Sequence, residues 1–474
     1  MSSSNTPIIE NQIPAPINRL FVEILTCIFH MCVLEGGDDR YFVHDTKVGP
    51  WKLGHVCSLW RRMANNTPSL WTRLSVGGFG WDRAVRDPVS MFVVALKRSA
   101  CLNLDLELHP SDRYPLEVQG EIIRLAITQS HRWEHVLFHL NSPSVPLFSE
   151  IGKDSLDHLS SLVIYCYEGG PDDYIDAFRY APALQTVYLH GNYNGARFEF
   201  PWNNLLEFFD RRELGDPASL RCLLDTINQC TNLRTLYVPI LFTAALGDHL
   251  PSPLNPPFVQ DSLRVLTACE GVLIRSLVLP QLEKMWLTPD EYSYELCHDD
   301  GLPSLLDLIH RSQCSLTSLE LNNVIFTDLL IDVLHLTPRV QTLKICTSDW
   351  QPPYNAIFRC LINHLAFRSN QAAQAFLPLV RNLDITIEDL FMEEPCSFVD
   401  HTFFDMVHSR WNSGVLKVTK LNVSEPGADV TWDLTLEHIT QFRGLKDDGL
   451  DIEVAVSRRG SGPGGVHAVR TRYV

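Results

Sequence analysis

His131-Arg132-Trp133-Glu134-His135 reads H-x-x-E-H, an inverted zinc-protease string in which two histidines on one helix face hold the metal while the glutamate serves as general base. That chemistry requires a helix through the string. Here Trp133, Val136 and Phe138 follow an apolar pattern that predicts a strand, so the histidines fall where a helix ends and no third ligand is evident. No metal-ligating role is assigned to them.

A second string, Gly460, Gly462 and Gly465, satisfies G-x-G-x-x-G, which cradles phosphates when it joins a strand to a long helix. Only nine residues follow Gly465 and Pro463 interrupts the string, leaving no room for a dinucleotide-binding unit. Residues 457–474, with Arg458, Arg459, Arg470 and Arg472 and no acid, read as a flexible basic tail. No Ser-His-Asp or Cys-His arrangement and no P-loop is visible. No catalytic residue and no cofactor site is assigned, and a non-enzyme is expected.

Composition narrows the classes further. The chain has 474 residues, 45% of them hydrophobic and 20% charged, with a net charge of -17. This is ordinary globular composition for more than one folding unit, and the acidic balance disfavours nucleic acid as a partner, since phosphate contacts need a concentrated basic surface. No apolar run is long enough to span a bilayer. The polar start at Met1 lacks a basic segment followed by a hydrophobic one, so an intracellular protein, cytoplasmic and/or nuclear, with no membrane partner is expected. The 13 cysteines are scattered without a C-x-x-C pair and read as reduced thiols.

Leu20, Ile24, Leu25, Ile28 and Phe29 recur at helical spacing and predict a helix from about Asn18 to Cys32. Val56, Trp60 and Met63 make a second apolar face, and Thr67-Pro68 reads as a cap opening a third short helix with Leu70 and Trp71. So few short helices bury too little surface to stand alone and call for a partner. Pro50 to Trp71, with Val56-Cys57, Trp60-Arg61, Ala64, Thr67-Pro68 and Leu70-Trp71, follows the string PxxLxxVCxxWRxxAxxTPxLW. The segment resembles a fungal F-box-like domain, and Phe21 stands where that family usually has proline. The resemblance implies docking on a Skp-type adaptor of a cullin ubiquitin ligase. It makes Leu20, Phe21, Ile24, Leu25, Ile28, Val56, Trp60 and Trp71 the adaptor-binding candidates, as contacts or as the core beneath them.

Most of the remaining length is repetitive. Aliphatic-x-x-aliphatic-x-aliphatic recurs at Leu159/Leu162/Ile164, Leu184/Val187/Leu189, Leu233/Leu236/Val238, Leu282/Met285/Leu287, Leu316/Leu319/Leu321, Val340/Leu343/Ile345, Val380/Leu383/Ile385 and Val418/Leu421/Val423. Helical stretches at 91–99, 120–129, 219–230, 303–311 and 403–411 lie between such cores. One strand and one helix per repeat predict an α/β fold, and the pattern resembles a degenerate leucine-rich-repeat solenoid with parallel strands inside and helices outside. The expected division is a disordered N-terminus at 1–16, an F-box-like domain at 17–78, the solenoid at 79–456 and the tail at 457–474.

Side chains alternate along a strand, so Val163, Tyr188, Tyr237, Trp286, Glu320, Lys344, Asp384 and Asn422 should point away from the core. Exposed aromatics anchor protein partners, and Tyr188, Tyr237 and Trp286 are therefore the target-binding candidates. The resemblances together imply a substrate-recognition adaptor that links an unidentified target protein to a Skp-cullin-F-box ligase. The alternative is a ligase-independent scaffold that keeps the F-box fold.

Overall fold

Apolar spacing near the start produces the expected helices, shifted at their ends. In the computed structural model the first helix, α1, spans Val22–Val33, a short α2 spans Gly49–Leu53 with proline in its first turn, and α3 spans Ser58–Asn65. A 3-10 turn, Pro68–Trp71, follows. The described residues are 17, 20–33, 40–77, 87–109, 115–166, 174–192, 197–213, 217–239, 252–289, 297, 300–367, 376–388, 396–425, 436–462 and 465–472. The segment 1–16, expected to be disordered, lies outside them.

The chain divides into two compact units, Met1–Tyr165 with Ile175–Ala183, and Cys166–Tyr174 with Leu184–Val474. In the first unit, Leu25 and Phe29 of α1 are buried, and the Phe29 ring lies 4.9 Å from Trp60 of α3. Trp71 is fully buried. Its indole N–H donates to the Ala64 carbonyl at 2.7 Å, tying the 3-10 turn back onto α3. Thr67 precedes Pro68 as expected, but its hydroxyl donates backward to the Met63 carbonyl at 2.8 Å and leaves the turn without a side-chain cap.

These helices are not left alone. Helix α4 (Pro88–Arg98) is capped by Asp87, which accepts from the Val89 and Ser90 amides. The Arg98 guanidinium at its end lies 4.9 Å from the Trp51 ring and 4.5 Å from the Trp71 ring. Strands β1 (Tyr41–Phe42), β2 (Arg73–Val76), β3 (Leu104–Leu108), β4 (Trp133–Leu140) and β5 (Ser161–Cys166) lie side by side, with β1 to β4 paired in parallel register and α5 (Leu116–Ile127) between β3 and β4 in the chain.

In the second unit the strands are β6 (Thr186–Asn192), β7 (Glu207–Glu213), β8 (Thr235–Val238), β9 (Val265–Ala268) and β10 (Lys284–Leu287), followed by β11 (Ser318–Asn322), β12 (Thr342–Thr347), β13 (Asn382–Ile387), β14 (Val418–Glu425) and β15 (Asp451–Gly462). All pair in parallel, neighbour to neighbour. Helices α6 (Pro217–Gln229), α7 (Gly271–Arg275), α8 (Gly301–Ser312), α9 (Leu329–His335), α10 (Tyr354–Leu365), α11 (His401–Asn412) and α12 (Leu436–Asp447) alternate with them. A buried rung Leu236, Leu266, Met285, Leu319, Leu343 and Leu383 runs across six strands in register and forms the spine of the core. The fold is α/β, parallel strands alternating with helices, consistent with a leucine-rich-repeat-like solenoid.

Two departures from the sequence reading are informative. The residues read as a flexible tail continue β15 to Gly462 and return as β16 (Gly465–Arg472), antiparallel to it. Gly460, Gly462 and Gly465 thus belong to a hairpin; Pro463 lies outside the described residues. The register also shifts at β14. Lys420, not Asn422, stands opposite Asp384, and Asn422 stands opposite Thr386. The repeat here is Leu416/Thr419/Leu421, in which a fully buried threonine replaces the middle aliphatic.

A buried arginine recurs at helix ends. Arg132 donates to the Ala100 carbonyl and also to the Leu96 and Leu102 carbonyls and the Ser99 hydroxyl. Arg410 donates to the Leu365, Phe376 and Leu377 carbonyls. Ala100 and Leu377 both hold left-handed backbone, with φ of 52° and 47°. In each case a guanidinium from the following repeat holds the carbonyl of a residue in left-handed backbone, supplying donors to carbonyls outside the regular hydrogen-bond ladders.

Candidate functional site

Helix α1 is apolar on two faces. Leu25 and Phe29 point inward, while Phe21 just before the helix, then Ile24, Ile28 and Met31, follow one another along a second stripe at helical spacing. Phe21 is 80% exposed and Ile24 50%, and Val56, just before α3, is 60% exposed. Leu20, Val22 and Met31 are exposed too, and Ile28 is half-buried. Large side chains clustered at the surface in this way mark interaction sites. Of the eight adaptor-binding candidates, Leu20, Phe21, Ile24, Ile28 and Val56 reach the surface. Leu25, Trp60 and Trp71 are buried and cannot touch a partner. They are the core beneath, because the helix period that turns Ile24 outward turns Leu25 inward.

On the second unit's sheet, parallel register brings Tyr188, Phe209, Tyr237, Thr267 and Trp286 into one rung. Tyr188 and Phe209 stack at 5.8 Å, and Phe209 lies 5.7 Å from Tyr237. Arg211 donates to the Tyr188 hydroxyl at 3.0 Å and sits 5.9 Å from the Tyr237 ring. The expected trio is therefore not a contiguous patch. Phe209 and Arg211 join the two tyrosines, and Trp286 stands beyond the intervening threonine strand. All three aromatic candidates are half-buried.

The same rung continues as Glu320, Lys344, Asp384, Lys420 and Glu453, alternating in sign. Lys344 Nζ lies 2.8 Å from Glu320 Oε1. Burial would lower the Lys344 pKa, but its hydrogen bond and charge contact with Glu320, joined by Asp384, hold it above the ordinary lysine value. Cross-strand opposite charges stabilise a sheet, and here they also set an aromatic end apart from a charged one. Val163 belongs to the other unit.

In the first unit the structure groups residues that sequence spacing leaves apart. His109 Nε2 is 2.5 Å from Glu107 Oε1, the His109 and His139 rings stack at 3.8 Å, and His139 stacks on Tyr165 at 4.4 Å. Arg40 reaches Asp105 at 2.5 Å and Glu107 at 3.8 Å. Burial would raise the Glu107 carboxyl, but the His109 hydrogen bond and charge, with Arg40 and Ser75, hold it below the usual range. Ligand atoms of Glu107, His109 and His139 lie within 4.8 Å of one another. The two imidazole planes are only 28° apart in their stack, so their lone pairs do not converge on a single tetrahedral point. The group is a hydrogen-bonded, stacked column as it stands. The H-x-x-E-H residues do not share one helix face: His131 lies in a 3-10 turn, while Glu134 and His135 lie on β4, where the register shifts and leaves Glu134 without a partner on β3.

No protein-family profile matches this chain, and no curated protein resembles it at a significant level. Among the described residues, no helix is long and apolar enough to cross a membrane. All 13 cysteines are free thiols.

Proposed function

We propose that the chain is a non-enzymatic recognition adaptor: the helices around α1 dock on a Skp-type adaptor of a cullin ubiquitin ligase, and the second unit's sheet holds a target protein. The single observation that carries this reading is the second apolar stripe of α1, Phe21, Ile24, Ile28 and Met31, present at the surface although the helix already has an inward face. A helix needs one apolar stripe to pack on its own core; a second one serves a partner. Phe21, in the place where the F-box-like pattern has proline, is the most exposed residue of that stripe. The proposed mechanism is proximity, in which two docked ends raise the effective concentration of the target near the transfer machinery without chemistry by this chain.

The test is co-purification of the intact chain with a Skp-type adaptor, beside Ile24→Asp. The substituted side chain is half-exposed, so the melting curve by circular dichroism should hardly move, while a charge inside an apolar interface should weaken binding by at least about tenfold. Failure of the folded wild-type chain to bind the adaptor would sink the ligase reading and favour a scaffold that uses the same stripe for another protein.

A further inference from the structure

A groove of about 450 Å³ lies in the first unit between α2, α3 and α4, within the size range of small-ligand sites. Its lining includes Trp51, His55, Arg61, Asn65, Met91 and Arg98, and no aspartate or glutamate. That is notable on a chain with 56 acidic residues against 39 lysines and arginines. Positive charge is gathered here without its usual counterpart.

Arg98 is half-buried, and its guanidinium lies over the Trp51 and Trp71 rings, which are 85° apart. Among the described residues no carboxylate pairs with it and no acceptor takes its N–H groups. With those rings nearly perpendicular, the planar guanidinium lies flat on at most one of them, and the N–H groups not turned toward the other ring remain available. Arg61 spends only its Nε–H, donated to the Gly54 carbonyl at 2.8 Å. The Trp51 indole N–H is buried and has no acceptor among the described residues. His55 is held by contact of its Nε2 with the Thr46 carbonyl at 3.2 Å. Two guanidinium groups therefore face this groove and no carboxylate lines it, while Trp51, Met91 and Val94 supply an apolar wall.

We propose that this groove binds a phosphate monoester, with Arg98 and Arg61 donating to the phosphoryl oxygens and the Trp51, Met91 and Val94 wall packing on the ester's organic body. A phosphate monoester carries about two negative charges and three acceptor oxygens at neutral pH, which matches two guanidinium forks better than one carboxylate does. The site stands independently of the adaptor reading, because it shares no residue with the exposed stripe of α1 and Val56.

The experiment is isothermal titration of the full chain with phenyl phosphate, inorganic phosphate and benzoate at low salt, repeated on Arg61→Gln and Arg98→Met. Phenyl phosphate should bind with a Kd below about 1 mM and more tightly than inorganic phosphate. Each substitution should weaken it by at least about tenfold, the loss of one charge-assisted contact. Arg61 is exposed, so Arg61→Gln keeps the test valid should Arg98→Met fail to fold. A phosphotyrosine peptide that binds more tightly than phenyl phosphate would place the ester on a protein; equal or weaker binding would point to a small free ester. No heat with phenyl phosphate up to about 10 mM, benzoate binding as tightly, or unchanged affinity in Arg61→Gln would each overturn the proposal.

Discussion

Replacing Arg410 by methionine tests the most specific structural device in the chain, the buried guanidinium that holds carbonyls of the preceding repeat. Arg410 is 1% exposed and donates to three carbonyls, those of Leu365, Phe376 and Leu377. Each hydrogen bond from a charged donor contributes about 2 kcal/mol, so the three together amount to about 6 kcal/mol. Burial opposes this by lowering the Arg410 pKa to about 10, a desolvation cost of about 3 kcal/mol. Methionine has similar length and fills the space, so the expected loss is the difference, about 3 kcal/mol. Leu377 adds a local signature. Its left-handed backbone is a conformation that costs a non-glycine residue about 1 kcal/mol or more, and without the guanidinium it has less to hold it. Urea unfolding by circular dichroism gives the magnitude. Hydrogen exchange of α10 and β13 shows whether the loss is local to the joined repeats. Arg410→Lys should recover little, since an ammonium on a flexible stem lacks the fork that meets three carbonyls. A loss below about 1 kcal/mol in Arg410→Met, or exchange unchanged in α10, would refute the reasoning.

Two further outcomes follow from the titrating groups. Cys27, Cys101, Cys222 and Cys360 are exposed, whereas burial pushes the Cys230 and Cys297 thiols up to about 12 and the Cys269 thiol well above its ordinary value. Iodoacetamide on the native chain, read by peptide mass spectrometry, should label the exposed four long before Cys269; early labelling of Cys269 would contradict its packing. The Glu107 carboxyl is held below its ordinary range, so its ionised form stabilises the fold above the unfolded-state pKa of about 4.3 and that contribution is lost as pH falls through the lower folded value. Glu107→Gln should therefore flatten the fall in stability on acidification below about pH 5, measured as urea midpoints, and identical slopes in the two proteins would dismiss the His109 and Arg40 contacts as inert.

The strands that the sequence reading missed show what its pattern could not see. Leu205/Phe208/Asp210 has the repeat spacing but ends in an aspartate, which is fully buried and paired with Arg212 at 2.6 Å. Leu263/Leu266/Ala268 ends in an alanine whose small size hides its place in the core. Thr419 conceals the register of β14 in the same way, and the misplacement of Asn422 followed from it. Helix α10 begins at Tyr354, immediately after Pro352 and Pro353, because proline is at home at the start of a helix. In the candidate site, Phe209 and Arg211 were invisible for the same reason as their strand, and the Glu107, His109 and His139 column could be found only once β3 and β4 were laid side by side.

What the sequence determined by itself was periodic and local: the helical spacing of α1, the recurrent aliphatic triplets with helices between them, and the outward position of Tyr188, Tyr237 and Trp286 on their strands. These follow from the fixed periods of helix and strand, which any stretch of chain reveals without its neighbours. Tertiary structure alone decided which residues meet. Parallel strands place side by side residues that lie tens of positions apart, so the alternating charges from Glu320 to Glu453, the groove between Arg61 and Arg98 and the burial of Trp60 and Trp71 beneath the exposed stripe of α1 all depend on register and packing, which no local pattern contains.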